Sequence, residues 1–264
     1  MKKGFNIDKF LLKYPYTKEV ILKNNISTDN LKEIYEDYIE YENSYKNQAE
    51  FIANILRSQK AVHSVKSRIK DPDRLVEKVI RKTEDRKRKY GEDFEFTVSN
   101  YKKEINDLIG IRVIHIFKDQ WQEIHEFIIK TWKVIEITAN VRDGDNVKVF
   151  EDPRIEVRSK ASGYRSVHYL VEFYPTNQKV IAEIQVRTIF EEGYGEIDHR
   201  LRYSHNEIPE ILQSNLLLFN RIVGSADEMA SLINNLSKEW AEKEKSYKKV
   251  IEEQKLEIDR LKNK

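Results

Sequence analysis

Two alternating stretches, residues 163–173 and 179–188, constrain the fold more than any other part of the chain. In the first, Val167, Tyr169, Val171 and Phe173 share a face, and in the second Val180, Ala182, Ile184 and Val186 do, because successive side chains of a strand point to opposite sides. Pro175-Thr-Asn-Gln between them is turn chemistry, so the pair reads as an antiparallel hairpin. Pairing Tyr174 with Lys179 sets Val167 opposite Val186, Tyr169 opposite Ile184, Val171 opposite Ala182 and Phe173 opposite Val180. The apolar face is then continuous, and a one-residue slip would turn all of it to water. The other face carries Ser166 opposite Arg187, His168 opposite Gln185 and Leu170 opposite Glu183. Taken alone, that polar face suits a solvated surface and a reaction site equally well.

Most of the remaining chain reads as helix. Over residues 26–56, Ser27 offers an N-cap, and Leu31, Ile34, Tyr35, Tyr38 and Ile39 recur at helical spacing, continued by Phe51, Ile52, Ile55 and Leu56; the aromatics read as core. Asp71 before Pro72 starts a second helix, with proline where its missing N–H costs nothing. Leu75, Val76, Val79 and Ile80 form its buried stripe, with Arg74, Lys78, Arg81 and Lys82 on the other side. Arg68 and Lys70 precede the cap, where positive charge opposes the helix dipole unless an anion sits between them; a solvated basic face is the plainer alternative. Arg86-Lys-Arg-Lys89 reads as solvated.

Residues 101–107 read as a short helix leading to a buried strand in the apolar run after Gly110, as far as Phe117, with Asp107 at its mouth, placed to cap, to pair with a cation or to hold a metal. His115, inside that run, reads as a core residue. A helix over 122–131, a strand over 134–138 and a loop or short extended pieces over 142–158 follow. Beyond the hairpin, residues 190–203 read as a helix in which Gly193 and Gly195 mark a bend or a close approach. Residues 208–236 suit one or two packed helices, and 240–264 are almost unbroken helix formers. There Trp240, Tyr247, Ile251, Ile258 and Leu261 keep an a/d spacing interrupted by Glu244 and Gln254.

The formal net charge is only +2 over 264 residues, so affinity for phosphates has to come from local clustering. The absence of cysteine excludes disulfides and thiolate metal sites, and the six histidines lack the spacing of a structural zinc site. The first residues lack the apolar run of a signal peptide and no stretch approaches membrane-spanning length, so a cytoplasmic protein is expected, away from membranes. No phosphate loop, dinucleotide fingerprint or zinc-protease motif is present. What remains is a set of cations around 68–82, Asp107 ahead of one strand, Lys160 and Tyr164 before another, and Glu183 on a third. Two carboxylates among cations are the materials of phosphate chemistry. Hard carboxylate oxygens suit Mg2+, and Lys and Arg neutralise the charge that phosphoryl transfer spreads over non-bridging oxygens.

Four segments together, Ser67-Arg-Ile-Lys-Asp-Pro-Asp-Arg-Leu-Val-Glu-Lys, Asp107-Leu-Ile-Gly-Ile-Arg-Val, Lys160-Ala-Ser-Gly-Tyr-Arg-Ser-Val-His and Glu183-Ile-Gln-Val-Arg-Thr followed by Asp198 and His199, stand in one order and spacing. In these the chain resembles the synthetase domain of the RelA/SpoT-type alarmone synthetases, and more closely their small single-domain members, over residues 45–205. The resemblance implies an α/β (α+β), nucleotidyltransferase-like fold, a mixed sheet of about five strands flanked by helices. It implies transfer of the β,γ-pyrophosphate of ATP to the 3′-hydroxyl of GDP or GTP, releasing AMP, with Mg2+. Arg68, Lys70 and Lys78 would grip the ATP phosphates. Asp107 would hold the metal, with Glu183 as second ligand or as the base for the 3′-hydroxyl. Tyr164 would stack on the acceptor base, Lys160 and His168 would contact acceptor phosphates or ribose, and Arg112, Gln185 and Arg187 would support the site.

On this basis residues 1–44 form an N-terminal helical segment, too short for a hydrolase domain, 45–205 the synthetase domain, and 206–264 a helical extension that builds homo-oligomers. Arg74 stands where related sequences often have a small hydroxyl residue, and the match is poor over 152–159, leaving Arg154 and Arg158 as rivals for one cationic contact. Three other functions fit the same residues: a toxin-type relative acting on the 3′ end of tRNA and restrained by an antitoxin protein, a maker of adenosine alarmones, and a non-catalytic nucleotide-binding regulator.

Overall fold

The computed structural model describes residues 4–175, 179–204 and 208–263. Helices α1 (Ile7–Lys13), α2 (Thr17–Lys23) and α3 (Thr28–Arg57) precede β1 (Ser64–Ile69), α4 (Pro72–Tyr90) and the single turn α5 (Tyr101–Glu104). Then come β2 (Ile109–His115), α6 (Gln120–Thr131), β3 (Lys133–Val141), β4 (Ile155–Ser159), β5 (Ser166–Phe173), β6 (Val180–Thr188), α7 (Ile189–Ser204) and α8 (Glu210–Lys262). The strands form one sheet in the order β1-β2-β6-β5-β3-β4. The β2/β6 and β3/β4 pairs are parallel and the others antiparallel.

The hairpin sits at the centre of this sheet in the expected register, from Val167 opposite Val186 to Phe173 opposite Val180. Thr176, Asn177 and Gln178 of its expected turn lie outside the described residues, as does His205. The alternate residues Val167, Tyr169, Val171, Ala182, Ile184 and Val186 are buried with Ile109, Ile111 and Val113 of β2 in one core. Helix α3 covers it with Leu31, Ile34, Tyr38, Ile52 and Leu56, each with no exposure, and runs unbroken across residue 44. Buried tyrosines bring hydroxyls that need partners: Tyr38 donates to the Lys70 carbonyl at 2.6 Å, and the Tyr169 hydroxyl accepts from Trp121 Nε1 at 3.1 Å. His115 is buried as expected, with Nδ1 2.9 Å from the Phe117 carbonyl. Each fully buried aliphatic side chain here contributes about 1.5–3 kcal/mol.

The caps fall where the sequence puts them. Ser27 accepts from the Asn30 amide, and Asp71 accepts from the Arg74 amide with Pro72 at the first position of α4. Leu75, Val76, Val79 and Ile80 are all buried.

Several elements differ from expectation. The sheet has six strands; β1 is an edge strand with only Val65 buried, so its polar alternation carries no apolar signal. Strand β4 is likewise an edge, with four exposed residues of five. Phe51 is 56% exposed rather than core. Of the two readings of the α7 glycines, close approach holds at Gly195: the helix is continuous through both, and a Cβ at Gly195 would lie 2.9 Å from Arg187 Nη1. The C-terminal region is a single 53-residue helix. Among the described residues no helix is long and apolar enough to cross a membrane.

Candidate active site

The polar face of the sheet assembles the site by cross-strand rows. One row runs Arg68, Gly110, Glu183, Leu170 and Glu136 across β1, β2, β6, β5 and β3. The next runs Lys66, Arg112, Gln185, His168 and Thr138 across the same strands. Residues 13 to 73 positions apart in sequence are thereby neighbours, because a sheet puts directly opposed side chains about 5 Å apart. Gly110 has its own reason: the Arg68 side chain lies across it, and a Cβ would stand 2.9 Å from Arg68 Nε and 3.1 Å from its Cγ.

Asp107 stands at the mouth of β2, two residues before its first ladder pair. Lys70 Nζ donates to its Oδ2 at 2.7 Å, and Lys78 Nζ lies 2.9 Å from the same atom. Burial pushes the Asp107 carboxyl up, but the two ammonium groups outweigh it and hold it below the ordinary carboxylate value. Burial lowers Lys70, against the pull of Asp107 and with help from Lys78 and Arg68. Asp107 Oδ1 is buried and has no hydrogen-bond partner, which is costly unless a ligand completes it.

Around Glu183 the hydrogen bonds close a ring. His168 Nδ1 lies 3.1 Å from Glu183 Oε1, and Gln185 Nε2 donates to Oε2 at 2.7 Å. His168 Nε2 is 3.0 Å from the Tyr164 hydroxyl, Arg187 Nη2 donates to that same hydroxyl, and Arg187 Nη2 donates to Gln185 Oε1 at 2.7 Å. All these contacts are satisfied by a neutral His168 that donates from Nδ1 to the carboxylate and accepts at Nε2 from the phenol. Burial raises Glu183, but His168 and Gln185 outweigh it and leave the carboxyl below its usual value, while the charge of Asp107 pushes the other way. The two carboxylates thus feel one another. Arg187 is anchored further by Glu192 at 3.0 Å and Ser166 Oγ at 3.3 Å, and its guanidinium lies 4.8 Å from the Tyr164 ring centre.

Two cavities open on this face. One, of about 640 Å³, is lined by Glu136, Thr138 and Asn140 of β3, by Arg158, by Lys160, Ser162 and Tyr164 of the loop before β5, and by His168, Leu170, Glu183 and Asp198. The other, of about 470 Å³, is lined by Arg68, Lys70, Arg74, Lys78, Arg81, Asp107, Arg112, Gln185, Arg187 and His199 among others, and shares Tyr164 and Asp198 with the first. All eleven candidate residues therefore line one cavity or both. Arg112 also binds Glu192 at 3.2 Å and pairs with Glu196. Of the rival arginines, Arg158 lines the larger cavity, whereas Arg154 is folded back on Asp152 at 2.5 Å.

Sequence reading missed Glu136, Thr138 and Asn140. The signal was there, since these are alternate polar residues of a strand that continues to Val141, three residues beyond the expected end. Arg81 had been placed only on the far side of α4 from its buried stripe; it too lines the smaller cavity. Of the Arg86–Lys89 run, Arg88 and Lys89 are exposed as expected, whereas Arg86 lies 2.5 Å from Glu104 and Lys87 donates to the Asn24 carbonyl.

Among the described residues no three His, Asp or Glu side chains cluster to cage a metal by themselves. A buried carboxylate with one uncommitted oxygen, near a second carboxylate and beside a cationic cavity, fits Mg2+, which takes few protein ligands and keeps places for water and phosphate.

A family model described as "Region found in RelA / SpoT proteins" matches residues 67–208. The chain is 28% identical over 181 residues to the GTP pyrophosphokinase YwaC of Bacillus subtilis, covering 66% of this chain and 75% of that one. Its fold is that of the small alarmone synthetase 1 from Bacillus subtilis, with a TM-score of 0.59 at 21% identity over 77% of this chain and 99% of that chain. The structure of that synthetase bound to its product pppGpp gives a TM-score of 0.55 at 22% identity, covering 72% of this chain and 93% of that one. With its four motifs gathered on one sheet face and more than half its length matched by the family model, the chain belongs to the RelA/SpoT family.

Proposed function

We propose that this chain transfers the β,γ-pyrophosphate of ATP to the 3′-hydroxyl of GDP or GTP, releasing AMP. It is a pyrophosphotransferase of the GTP diphosphokinase type, as its family membership carries. The observation that supports the substrate assignment is the pair of adjoining cavities, one rich in cations with Asp107 in its wall, the other bordered by Glu183, with Tyr164 and Asp198 common to both.

ATP lies in the smaller cavity, where Arg68, Lys70 and Lys78 hold its phosphates. Asp107, through Oδ1, and Glu183 would hold Mg2+, which when bound neutralises phosphate charge. The acceptor lies in the larger cavity, its base against the ring of Tyr164, its ribose and phosphates near His168 and Lys160. The 3′-oxygen attacks the β-phosphorus, the bond from that phosphorus to the α–β bridging oxygen breaks, and AMP leaves. Glu183, kept ionised and oriented by His168 and Gln185, accepts the hydroxyl hydrogen bond and takes its proton. In a loose transition state that proton departs late, so an acceptor with a depressed pKa suffices. Most of the acceleration comes from alignment and fixed charge.

Helix α8 supports a homo-oligomer. An apolar stripe from Leu218 and Ile222 through Met229, Leu232, Leu236 and Trp240 to Tyr247, Ile251, Ile258 and Leu261 is 49–75% exposed. It follows coiled-coil spacing with one extra residue between Leu236 and Trp240, where a three-residue step is due, and a second copy of the same helix is the partner it fits. Trp240→Glu with Ile251→Glu should lower the oligomer mass measured by light scattering.

The activity test is incubation with ATP labelled in its β-phosphate, Mg2+ and, in turn, GDP, GTP, ATP and bulk tRNA. Label passing to the guanosine nucleotides supports this function; label on tRNA or on a 3′-pyrophosphorylated adenosine nucleotide transfers it to the toxin-type or adenosine alternatives, and label remaining in unchanged ATP leaves a regulator.

A further inference from the structure

Helix α8 meets the body of the protein through an apolar cluster, in which Leu212, Leu216, Phe219 and Val223 pack with Tyr194, and through polar residues beside it. Its buried residues, Leu216, Asn220, Gly224 and Asp227, fall at helical spacing on one face. Asn220 is 1% exposed and touches both residues that flank Tyr164. Its Nδ2 donates to the Gly163 carbonyl at 2.8 Å, and its Oδ1 accepts from Arg165 Nη1 at 3.4 Å. Gly163 has φ +75°, and a Cβ there would lie 2.6 Å from Asn220 Oδ1, so the turn and the amide are fitted to one another. One helical turn along, Gly224 lets Arg165 approach: a Cβ there would meet Arg165 Nη2 at 3.1 Å. Asp145 holds the other side of that guanidinium at 2.6 and 3.0 Å.

An asparagine suits this place because it gives a donor to a carbonyl and an acceptor to a guanidinium at once. Burying an amide is unfavourable unless both halves are engaged, and a residue serving only to pack α8 would be apolar, as Leu216 is. Neither Asn220 nor Gly224 lines either of the two cavities, but the turn they hold does: Lys160, Ser162 and Tyr164 all border the larger one, whereas only Tyr164 borders the smaller.

We propose that Asn220 is a positioning residue for the acceptor, setting the Gly163–Tyr164–Arg165 turn from the C-terminal helix so that Tyr164 and Lys160 meet the acceptor nucleotide. This rests on the assignment of the larger cavity to the acceptor. It makes α8 part of the synthetic machinery and not only an oligomerisation arm.

The test compares Asn220→Ala and Asn220→Asp with the natural chain under Mg2+ and ATP, varying each substrate in turn. The aspartate keeps the contact to Arg165 and loses the donor to Gly163. Both variants should raise the acceptor Michaelis constant roughly five- to tenfold, the worth of one lost buried hydrogen bond, with the ATP constant within twofold of the natural chain. A merely structural role would lower the melting temperature without separating the two substrates. Gly224→Ala gives an independent check, because alanine favours helix while pressing on Arg165 from α8; it should raise the acceptor constant with no loss of melting temperature. Constants that stay put, or rise together, in Asn220→Ala and Gly224→Ala overturn the proposal alone. A natural chain that transfers no label overturns the acceptor assignment and this proposal with it.

Discussion

The two cavities on either side of Tyr164 and Asp198 differ in charge more than in size. The smaller is walled by seven lysine and arginine residues against four carboxylates, whereas the larger has two cations, Arg158 and Lys160, against three carboxylates. The smaller draws its charge from β1 and α4, whose Arg68, Lys70, Lys78 and Arg81 are hard to bring together unless a polyanion occupies the space between them. The larger draws on β3 and the loop before β5, which supply hydroxyl, amide and imidazole groups suited to a nucleoside. On the proposed function one cavity neutralises and the other recognises, with Asp107 in the wall of the first and Glu183 in the wall of the second.

The largest effect should come at the boundary. Asp107→Asn and Glu183→Gln should each lower transfer by roughly a thousandfold or more; near-natural turnover in both would sink the division. Because Asp107→Asn leaves Lys70 and Lys78 beside each other without their partner, its melting temperature has to be read alongside its rate. Next, the two sides should separate: Arg68→Ala and Lys78→Ala are expected to raise the ATP Michaelis constant about tenfold or more, and Lys160→Ala that of the acceptor. Equal shifts for both substrates would erase the contrast between the cavities. Tyr164→Ala should weaken the acceptor about tenfold through lost stacking, and Tyr164→Phe, which keeps the ring face, much less; an unchanged acceptor constant in Tyr164→Ala would count against stacking. Gly110→Ala should raise the ATP constant a few-fold by displacing Arg68, leaving the acceptor untouched.

The smallest effect on activity belongs to a carboxylate outside both cavities. Asp227, buried against Thr188, is pushed up to about 7 by burial and by the charge of Glu191, against Lys118. A folded-state value above the unfolded one means that its contribution to stability is full only below about pH 4 and is lost as pH rises to about 7. Asp227→Asn should therefore raise the melting temperature more at pH 8 than at pH 5, without distinguishing the two substrates. An equal gain at both pH values would remove charge burial as its cause.

The central hairpin was legible because alternation and register are coupled: burying Val167, Tyr169 and Val171 leaves His168 only one face to occupy, and Gln185 opposite it. The α4 cap was legible for a similar local reason, Asp71 and Pro72 being chemistry that only a helix start satisfies. The edge strands were not, since Lys66 and Arg68 of β1 bury little and gain their conformation from pairing with β2, a contact across more than forty residues. The ring joining Glu183, His168, Tyr164, Arg187 and Gln185 was visible in all but one member, as four strand positions sharing a face. Its closure through Tyr164 depends on how the Gly163 turn approaches β6, which no local pattern encodes.

Beyond Lys238, whose ammonium reaches Asp119 at 2.8 Å, α8 continues for a further 24 residues to Lys262, all of them exposed. That is a rod of roughly 36 Å held by its own backbone and by pairs such as Glu244 with Lys248, each worth a few tenths of a kcal/mol. A lone helix so supported is marginal in water. On dilution, then, far-ultraviolet circular dichroism should show this segment unwinding at lower temperature than the sheet, and raising the protein concentration should merge the two transitions into one.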